Sequence, residues 1–329
     1  MDEPAPEASS VSFPGVKAVT KIGITLGDPT GIGPEIVAAA LGAVPQEWRD
    51  RLVVYGDRGP LERGARAIGA PPPACELHGE GLGEDAVAGA PNEQTGAAQV
   101  GYLEAAVAAA TRGELAAIVT APISKTWAHR AGFAFPGHTE MLAARFGVRD
   151  AVMMFAGPKL RVALVTVHIP LADVPRALTT ERIRTTIEIV AASLLRDFGL
   201  PAPRIGVVGL NPHAGEGGLL GVEDAGVIAP ALTPLAGVQL FGPLVPDAAF
   251  RDHLMGRYDA IVAMYHDQGL IPVKLVDFDE SVNVTLGLPI VRTSPDHGTA
   301  YDIAGKGIAR PISMQRAVAL AIEMLDRRA

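Results

Sequence analysis

Apolar residues fall along the chain in short runs that end in glycine, proline or clustered polar residues, the pattern of buried strands closed by turns. Such runs occupy residues 21–27, 51–56, 115–120, 152–156, 161–167, 204–210, 238–241, 260–264 and 282–291. Between them the apolar spacing changes to three and four. Val100, Leu103 and Val107 give residues 94–111 one apolar helical face, and residues 180–198, 248–257 and 312–328 also read as helices. Pro34 stands in the first turn of another helix, and Thr139 leads into a further one. Gly157-Pro158-Lys159 predicts a hairpin between its flanking strands. Strands that alternate with helices predict an α/β fold: a mostly parallel sheet with helices on both faces.

At 329 residues the chain is long for a single core, so two domains or one large α/β domain are expected. Hydrophobic residues at 48%, charged residues at 19%, 37 glycines and 27 prolines suit many short elements and turns, not a coiled coil or a disordered chain. A formal charge of −8 argues against nucleic-acid and acidic-membrane partners and leaves room for a local basic pocket. Cys75 is the single cysteine, which rules out an intrachain disulfide framework and a cysteine-based zinc site. Residues 1–20 carry acids and prolines where a secretory signal needs a basic start and an apolar core, and they read as a flexible tail. No uncharged apolar run reaches the roughly 18 residues that a membrane helix needs, and a cytoplasmic protein is expected.

Candidate chemistry concentrates in residues 260–304. There one apolar run breaks into Tyr265-His266-Asp267-Gln268-Gly269, and a second into Arg292-Thr293-Ser294-Pro295-Asp296-His297-Gly298. Strands that end in ionisable clusters are typical of the carboxyl edge of a catalytic α/β sheet. His168 and His213 also closely follow predicted strands. Taken singly, each imidazole is most simply a loop hydrogen bonder. Parallel strands, however, bring all three to one rim, where three imidazoles with an open position suit a catalytic divalent metal. Lys274 and Arg292, with Asn283 as a neutral polar group, place cations inside an apolar stretch of an acidic protein. That points to an anionic substrate, a phosphate above all. Asp28 and Lys125 fall past the ends of two further strands, and His138 stands at a helix start, where a phosphate or carboxylate is readily met. Residues 298–303 are expected to open a helix whose N–H groups add to an anion or cofactor-phosphate site. The turn containing Gly27, Gly31 and Gly33 has the spacing of neither a dinucleotide fingerprint nor a P-loop.

The segments LGDPTGIGPEI (26–36), GHTEML (137–142), LNPHAGEGG (210–218), AMYHDQG (263–269), VNVTLGLP (282–289) and RTSPDHGTAYDIAGKG (292–307) together resemble the 4-hydroxythreonine-4-phosphate dehydrogenases of pyridoxal phosphate biosynthesis. The resemblance runs from about residue 21 to the end. It implies an isocitrate/isopropylmalate dehydrogenase-like two-domain fold with the active site in the interdomain cleft. Residues 21–145 with 290–329 would form the first α/β domain, and residues 146–289 the second, which carries the dimer interface. The implied enzyme is metal-dependent and uses NAD or NADP. It oxidises 4-phosphooxy-L-threonine to a 3-oxo acid, which decarboxylates to 3-amino-2-oxopropyl phosphate.

Carried onto the matching positions, the resemblance makes His168, His213 and His266 the ligands of one divalent ion: zinc, cobalt, magnesium, manganese or nickel. His138, Thr139, Lys274, Asn283 and Arg292 become the substrate-binding residues, and Asp296, His297, Gly298 and Asp302 are expected to face the cofactor. Lys274, Asp267 and a metal-bound water are the alternatives for the group that removes the hydroxyl proton. The family is homodimeric with a shared active site, so His266 is expected to serve a metal held mainly by the partner subunit's His168 and the partner subunit's His213. One departure is Pro295, where the family more usually carries valine; proline removes a backbone donor beside the cofactor segment. Alternatives are related dehydrogenases of threonate or erythronate 4-phosphate or of a cyclic dihydrodiol dicarboxylate, a phosphate acyltransferase of similar fold, and a non-catalytic metabolite binder. His138-Thr139 with Lys274 and Arg292 favours the phosphorylated substrate.

Overall fold

A computed structural model describes residues 21–328. Residues 1–20, read above as a tail, lie outside the described residues. The strands are β1 (Ile22–Thr25), β2 (Leu52–Tyr55), β3 (Glu76–His78), β4 (Ala117–Thr120), β5 (Val152–Ala156), β6 (Arg161–Leu164), β7 (Arg204–Val208), β8 (Gln239–Leu244), β9 (Ala260–Ala263), β10 (Val282–Leu286) and β11 (Val291–Pro295). They form one 11-stranded sheet in the order β3-β2-β1-β4-β11-β10-β5-β6-β9-β7-β8. The longer helices are α1 (Gly33–Ala43), α2 (Arg58–Ala67), α3 (Glu93–Thr111), α4 (Lys125–Arg130), α5 (His138–Arg145), α6 (Thr180–Arg196), α7 (Pro246–Leu254), α8 (His266–Val276) and α9 (Ile312–Arg328). The expected mostly parallel α/β architecture is therefore present.

Local chemistry explains the better-defined boundaries. β1, β2 and β4 are buried along their whole length, so they read as unbroken apolar runs rather than alternating ones. At the start of α3 the Asn92 side chain accepts from Thr95 N–H at 2.9 Å and the Thr95 hydroxyl accepts from Asn92 N–H at 2.9 Å. This reciprocal cap satisfies two donors that a helix end otherwise leaves open. A second cluster, including Phe155, Val162, Leu164, Ile261 and Val273, packs α8 onto β5, β6 and β9. Leu164 is only 2% exposed there, and its truncation to alanine would cost about 2–5 kcal/mol.

The strand order has a consequence for the site. β3, β2, β1, β4 and β11 run parallel, as do β6, β9, β7 and β8. The two blocks are joined through β10 and β5, with antiparallel pairing at β11/β10, β10/β5 and β5/β6. Three reversals leave the blocks pointing in opposite directions. The loops bearing His168, His213 and His266 thus leave one edge of three adjacent parallel strands, while Asp28, Lys125 and Asp296 follow strands that end at the other. Asp296 and His297 do not share the histidines' edge, contrary to a single carboxyl rim.

Three other expectations change. Residues 282–291 are not one strand: Gly287, at φ 88°, turns the chain so that β10 and β11 pair antiparallel. Arg292 consequently lies inside β11 and not beyond its end. Residues 298–303 do not open a helix. They lead into turns in which Ala300, Gly305 and Gly307 are left-handed, at φ 42°, 80° and 68°, a conformation that a right-handed helix cannot continue through. Finally, β3, α2, α4 and α8 form where no element was expected. In α8, Gly269 and Pro272 interrupt the helical pattern. The glycine is favoured by packing, because a Cβ there would stand 2.6 Å from Leu164 Cδ2 and the buried leucine would have to shift.

Candidate active site

Arg292 is 3% exposed and has no carboxylate hydrogen-bonded to it among the described residues. Strand register explains what holds it. The pairs Asn283↔Ser294 and Val284↔Thr293 bring Thr285 alongside, and Arg292↔Ile118 puts Thr120, two residues on, on the same face. Nη1 donates to Thr285 Oγ1 at 3.0 Å and Nη2 to Thr120 Oγ1 at 2.7 Å, while Nε has no partner among the described residues. Burial pulls the guanidinium down to about 10, against a smaller opposing effect of Glu140. It is therefore still a cation at neutral pH, and a buried cation without an anion is costly.

His138, Thr139 and Asn283 stand with it. His138 begins α5, and its Nε2 is shut off from solvent and unpartnered; Asn283 Oδ1 is in the same condition. Burial, then the charges of Arg292 and Lys125, hold His138 well below the ordinary histidine value, so it is neutral. Thr139 Oγ1 lies 3.4 Å from Thr285 Oγ1. A cation, hydroxyls and a neutral imidazole with open valences are a donor set that suits an anion.

His168 and His266 stand together, ring centroids 5.7 Å apart and planes tilted by 43°. Desolvation, then the charges of Lys125 and His266, lower the His168 value, against Glu140. His266 opens α8, and its Nδ1 is 2.7 Å from Asp267 Oδ1. This contact orients the ring and leaves Nε2 for a ligand. His213 is on the loop after the adjacent strand β7. Gln268 ties the two loops, accepting from Met264 N–H and donating to the Gly209 carbonyl, both at 2.7 Å.

The His213 loop is a run of left-handed residues, His213, Ala214, Gly215, Glu216 and Gly217, with φ of 53°, 53°, 81°, 44° and 65°. Non-glycine residues adopt this conformation at about 1–2 kcal/mol each. Buried Asp224 holds the loop's entrance, accepting from Leu210 N–H at 2.8 Å and Asn211 N–H at 3.2 Å. Strain retained this way concentrates at functional sites. Within one chain, no group of three or more His, Cys, Asp or Glu side chains is close enough to hold one ion among the described residues. The donor chemistry nonetheless fits a divalent metal: His168 is held neutral and His266 is oriented by a carboxylate.

Lys274, on α8, is ion-paired with the Asp296 carboxylate and donates to the Asp296 carbonyl at 3.0 Å. His297, Gly298 and Asp302 are exposed, and a Cβ on Gly298 would meet nothing within 4 Å. The segment is open, and the Asp302 carboxylate has no hydrogen bond or ion pair among the described residues, so it is an acceptor of the kind that suits ribose hydroxyls. The segment is tethered to the turn after β1: Ile32 N–H donates to the Thr299 carbonyl at 2.9 Å, Tyr301 hydroxyl donates to Asp28, and Glu35 accepts from Gly307 N–H at 3.1 Å and from Gly305 N–H. Asp28 and Glu35 are 0% and 2% exposed.

Sequence reading singled out Asp28 but missed Glu35, Tyr301, Thr120 and Thr285. Glu35 left a signal, an acid beside Ile32, Ile36 and Val37 on a wholly apolar helix start. Two hollows of about 350 and 400 Å³ flank β3 and α3, but none of the residues above lines them.

The chain is 46% identical to the 4-hydroxythreonine-4-phosphate dehydrogenase of Geobacter metallireducens, a match covering 92% of this chain and 95% of that one. It resembles the crystal structure of the enzyme of that name from Klebsiella pneumoniae at 39% identity and a TM-score of 0.83, covering 93% and 98% of the two chains. It also resembles a terephthalate 1,2-cis-dihydrodiol dehydrogenase from Burkholderia xenovorans LB400 at 30% identity and a TM-score of 0.67, covering 92% and 98%. A branched-chain phosphotransacylase from Enterococcus faecalis, 12% identical with a TM-score of 0.55 and coverages of 92% and 99%, shares the fold alone. The Geobacter and Klebsiella relatives are both named dehydrogenases, which makes this chain an α/β oxidoreductase and implies a nicotinamide cofactor. Residues 51–321 match the family described as pyridoxal phosphate biosynthetic protein PdxA, and the chain belongs to that family. No helix of the described residues is long and apolar enough to cross a membrane.

Proposed function

We propose that the chain oxidises 4-phosphooxy-L-threonine at its secondary hydroxyl, with NAD or NADP and one divalent metal, as a cytoplasmic enzyme of pyridoxal 5'-phosphate biosynthesis. The observation that carries this reading is Arg292, a buried cation held by two threonine hydroxyls and, among the described residues, by no carboxylate. A phosphate supplies the missing charge. In this reading His138, Thr139, Lys274, Asn283 and Arg292 hold the substrate, while His168, His213 and His266 hold the metal. Asp296, His297, Gly298 and Asp302 face the cofactor. The chain divides into an α/β domain of residues 21–145 with 290–329 and another of residues 146–289.

We further place the site at a homodimer interface. Leu171, Leu219, Val222 and Leu275 are 68%, 83%, 70% and 81% exposed. They lie on the loops and helix that carry the three histidines, and apolar side chains left open together mark a contact surface.

Arg292, with His138 and Thr139, would fix the phosphate and so orient the carbon that carries the hydroxyl. Asp267 holds His266 in one ring orientation. Lys274 and Asp267 are the two side chains proposed to take the hydroxyl proton, and Lys274 can take it only as the free amine, once its ion pair with Asp296 is released. Bound in this site, the metal supplies Lewis-acid polarisation of the hydroxyl and the nicotinamide supplies the hydride acceptor. Oxidation leaves a ketone β to the carboxylate, and loss of carbon dioxide then gives 3-amino-2-oxopropyl phosphate.

The test is reduced-nicotinamide formation by metal-loaded enzyme with 4-phosphooxy-L-threonine, threonate 4-phosphate, erythronate 4-phosphate and a dihydrodiol dicarboxylate. Turnover of the first above the others, abolished by a chelator, is expected. Preference for the dicarboxylate would move the chain to the function named for the Burkholderia relative. No turnover with any of them would overturn the reading.

A further inference from the structure

Thr285 is 3% exposed and stands between two side chains that the preceding section gives to the substrate. A guanidinium only donates, so in the 3.0 Å contact with Arg292 Nη1 the Thr285 oxygen is the acceptor. Its own proton leaves in another direction, and a buried hydroxyl proton is normally matched to an acceptor. Apart from that guanidinium, the one hydrogen-bond partner found for it among the described residues is Thr139 Oγ1, 3.4 Å away. Where Thr285 donates in that contact, the Thr139 hydroxyl keeps its own proton for another acceptor. Thr120 takes the second nitrogen at 2.7 Å. Two of the five guanidinium N–H groups are thus spent on hydroxyls, and the rest are left for a ligand.

We infer that Thr285 is a positioning residue for the substrate's phosphate, its hydroxyl fixing Arg292 and Thr139 as donors to the same anion. This rests on the phosphorylated substrate proposed above. Charge explains the choice of threonine. An acid at this position would hold the guanidinium equally well and neutralise it, whereas a hydroxyl orients it and leaves its charge to the ligand. The same hydroxyl links strand β10 to helix α5, so the two halves of the pocket are aligned before the substrate arrives.

The test uses full-length enzyme with inorganic phosphate in calorimetry and 4-phosphooxy-L-threonine in steady-state kinetics. Thr285→Val keeps the shape and removes the hydroxyl. It is expected to weaken inorganic phosphate and raise the substrate KM roughly 10- to 100-fold, the range for a hydrogen bond to a charged group. Binding of reduced nicotinamide, read by its fluorescence, is expected to stay near wild type, while the thermal midpoint falls because a buried Arg292 N–H loses its acceptor. Thr285→Ser restores the hydroxyl and is expected to return phosphate affinity to within about threefold. If the valine variant does not fold, Thr285→Ala and Thr139→Val carry the same comparison.

Phosphate binding unchanged in the hydroxyl-free variants overturns the inference, as does an equal loss of phosphate and nicotinamide binding. The two levels are separable. Wild-type phosphate affinity that Arg292→Gln abolishes and Thr285→Val leaves intact removes the role of Thr285 alone. Absence of phosphate affinity in the wild type removes the phosphate reading with it.

Discussion

Lys274 and Asp296 form an ion pair between the two oppositely directed blocks of the sheet. Lys274 stands near the end of α8, which runs back from the edge where β9 delivers His266. Asp296 follows β11 at the opposite edge, and its N–H donates to Ser313 Oγ of α9 at 3.2 Å. The pair therefore joins the histidine-bearing block to the segment assigned to the cofactor.

Asp296→Asn is expected to raise the KM for substrate and for nicotinamide together, because it releases Lys274 and loosens the segment at once. Lys274 and Asp296 are 31% and 17% exposed, so solvent screens them in part. A double-mutant cycle on kcat/KM with Lys274→Ala should give a coupling on the order of 1 kcal/mol. A coupling of zero would show that the two residues act independently.

Asp267→Asn separates two roles for this carboxylate. If Asp267 acts by holding His266 Nδ1, its loss should weaken metal affinity about 10- to 100-fold, with activity recovering at high metal. Metal titration followed by calorimetry, alongside turnover at saturating metal, distinguishes the cases. Unchanged metal affinity with a collapse of kcat that excess metal does not restore would make Asp267 the proton acceptor instead.

The strand ends of the candidate site are legible because parallel strands are buried on both faces and read as apolar runs, so polar residues after them stand out. His168, His213 and His266 were found that way, as were Asp28 and Lys125. What pattern could not give was direction. Nothing in the run of residues 282–291 announced that Gly287 would reverse it, placing Arg292 inside a strand. The threonines that hold Arg292 come from register across β4, β11 and β10, a long-range property with no local mark. Helix α8 was hidden for a packing reason, since its Gly269 leaves room for Leu164 while weakening the helical pattern.

Glu35→Gln tests the tether of the 299–307 segment. The buried carboxylate accepts from two backbone N–H groups, and an amide keeps one accepting oxygen while setting an NH2 group against the other donor. The cost should be about 1–3 kcal/mol of stability, seen as a lowered thermal midpoint. Reduced-nicotinamide affinity, measured by fluorescence, should fall while inorganic phosphate affinity holds. Equal loss of both ligands would mean general unfolding and no specific support of the cofactor segment.

His138 gives the acid limb of stability a defined sign. Burial, with the charges of Arg292 and Lys125, holds its value in the folded chain well below 6.5, so the native state refuses a proton that the unfolded chain accepts. The stability tied to its neutral form is complete above the unfolded value. It is lost progressively as the pH falls below about 6.5 toward the folded value, with a slope approaching 1.4 kcal/mol per pH unit for one proton. Denaturant unfolding of wild type and His138→Gln between pH 7.5 and about 5 should therefore show a shallower acid slope in the variant, whatever its stability at neutral pH. Phosphate should flatten the wild-type slope, because an anion in the pocket makes the imidazolium acceptable there. Parallel slopes in the two proteins would mean that His138 takes up its proton as readily folded as unfolded.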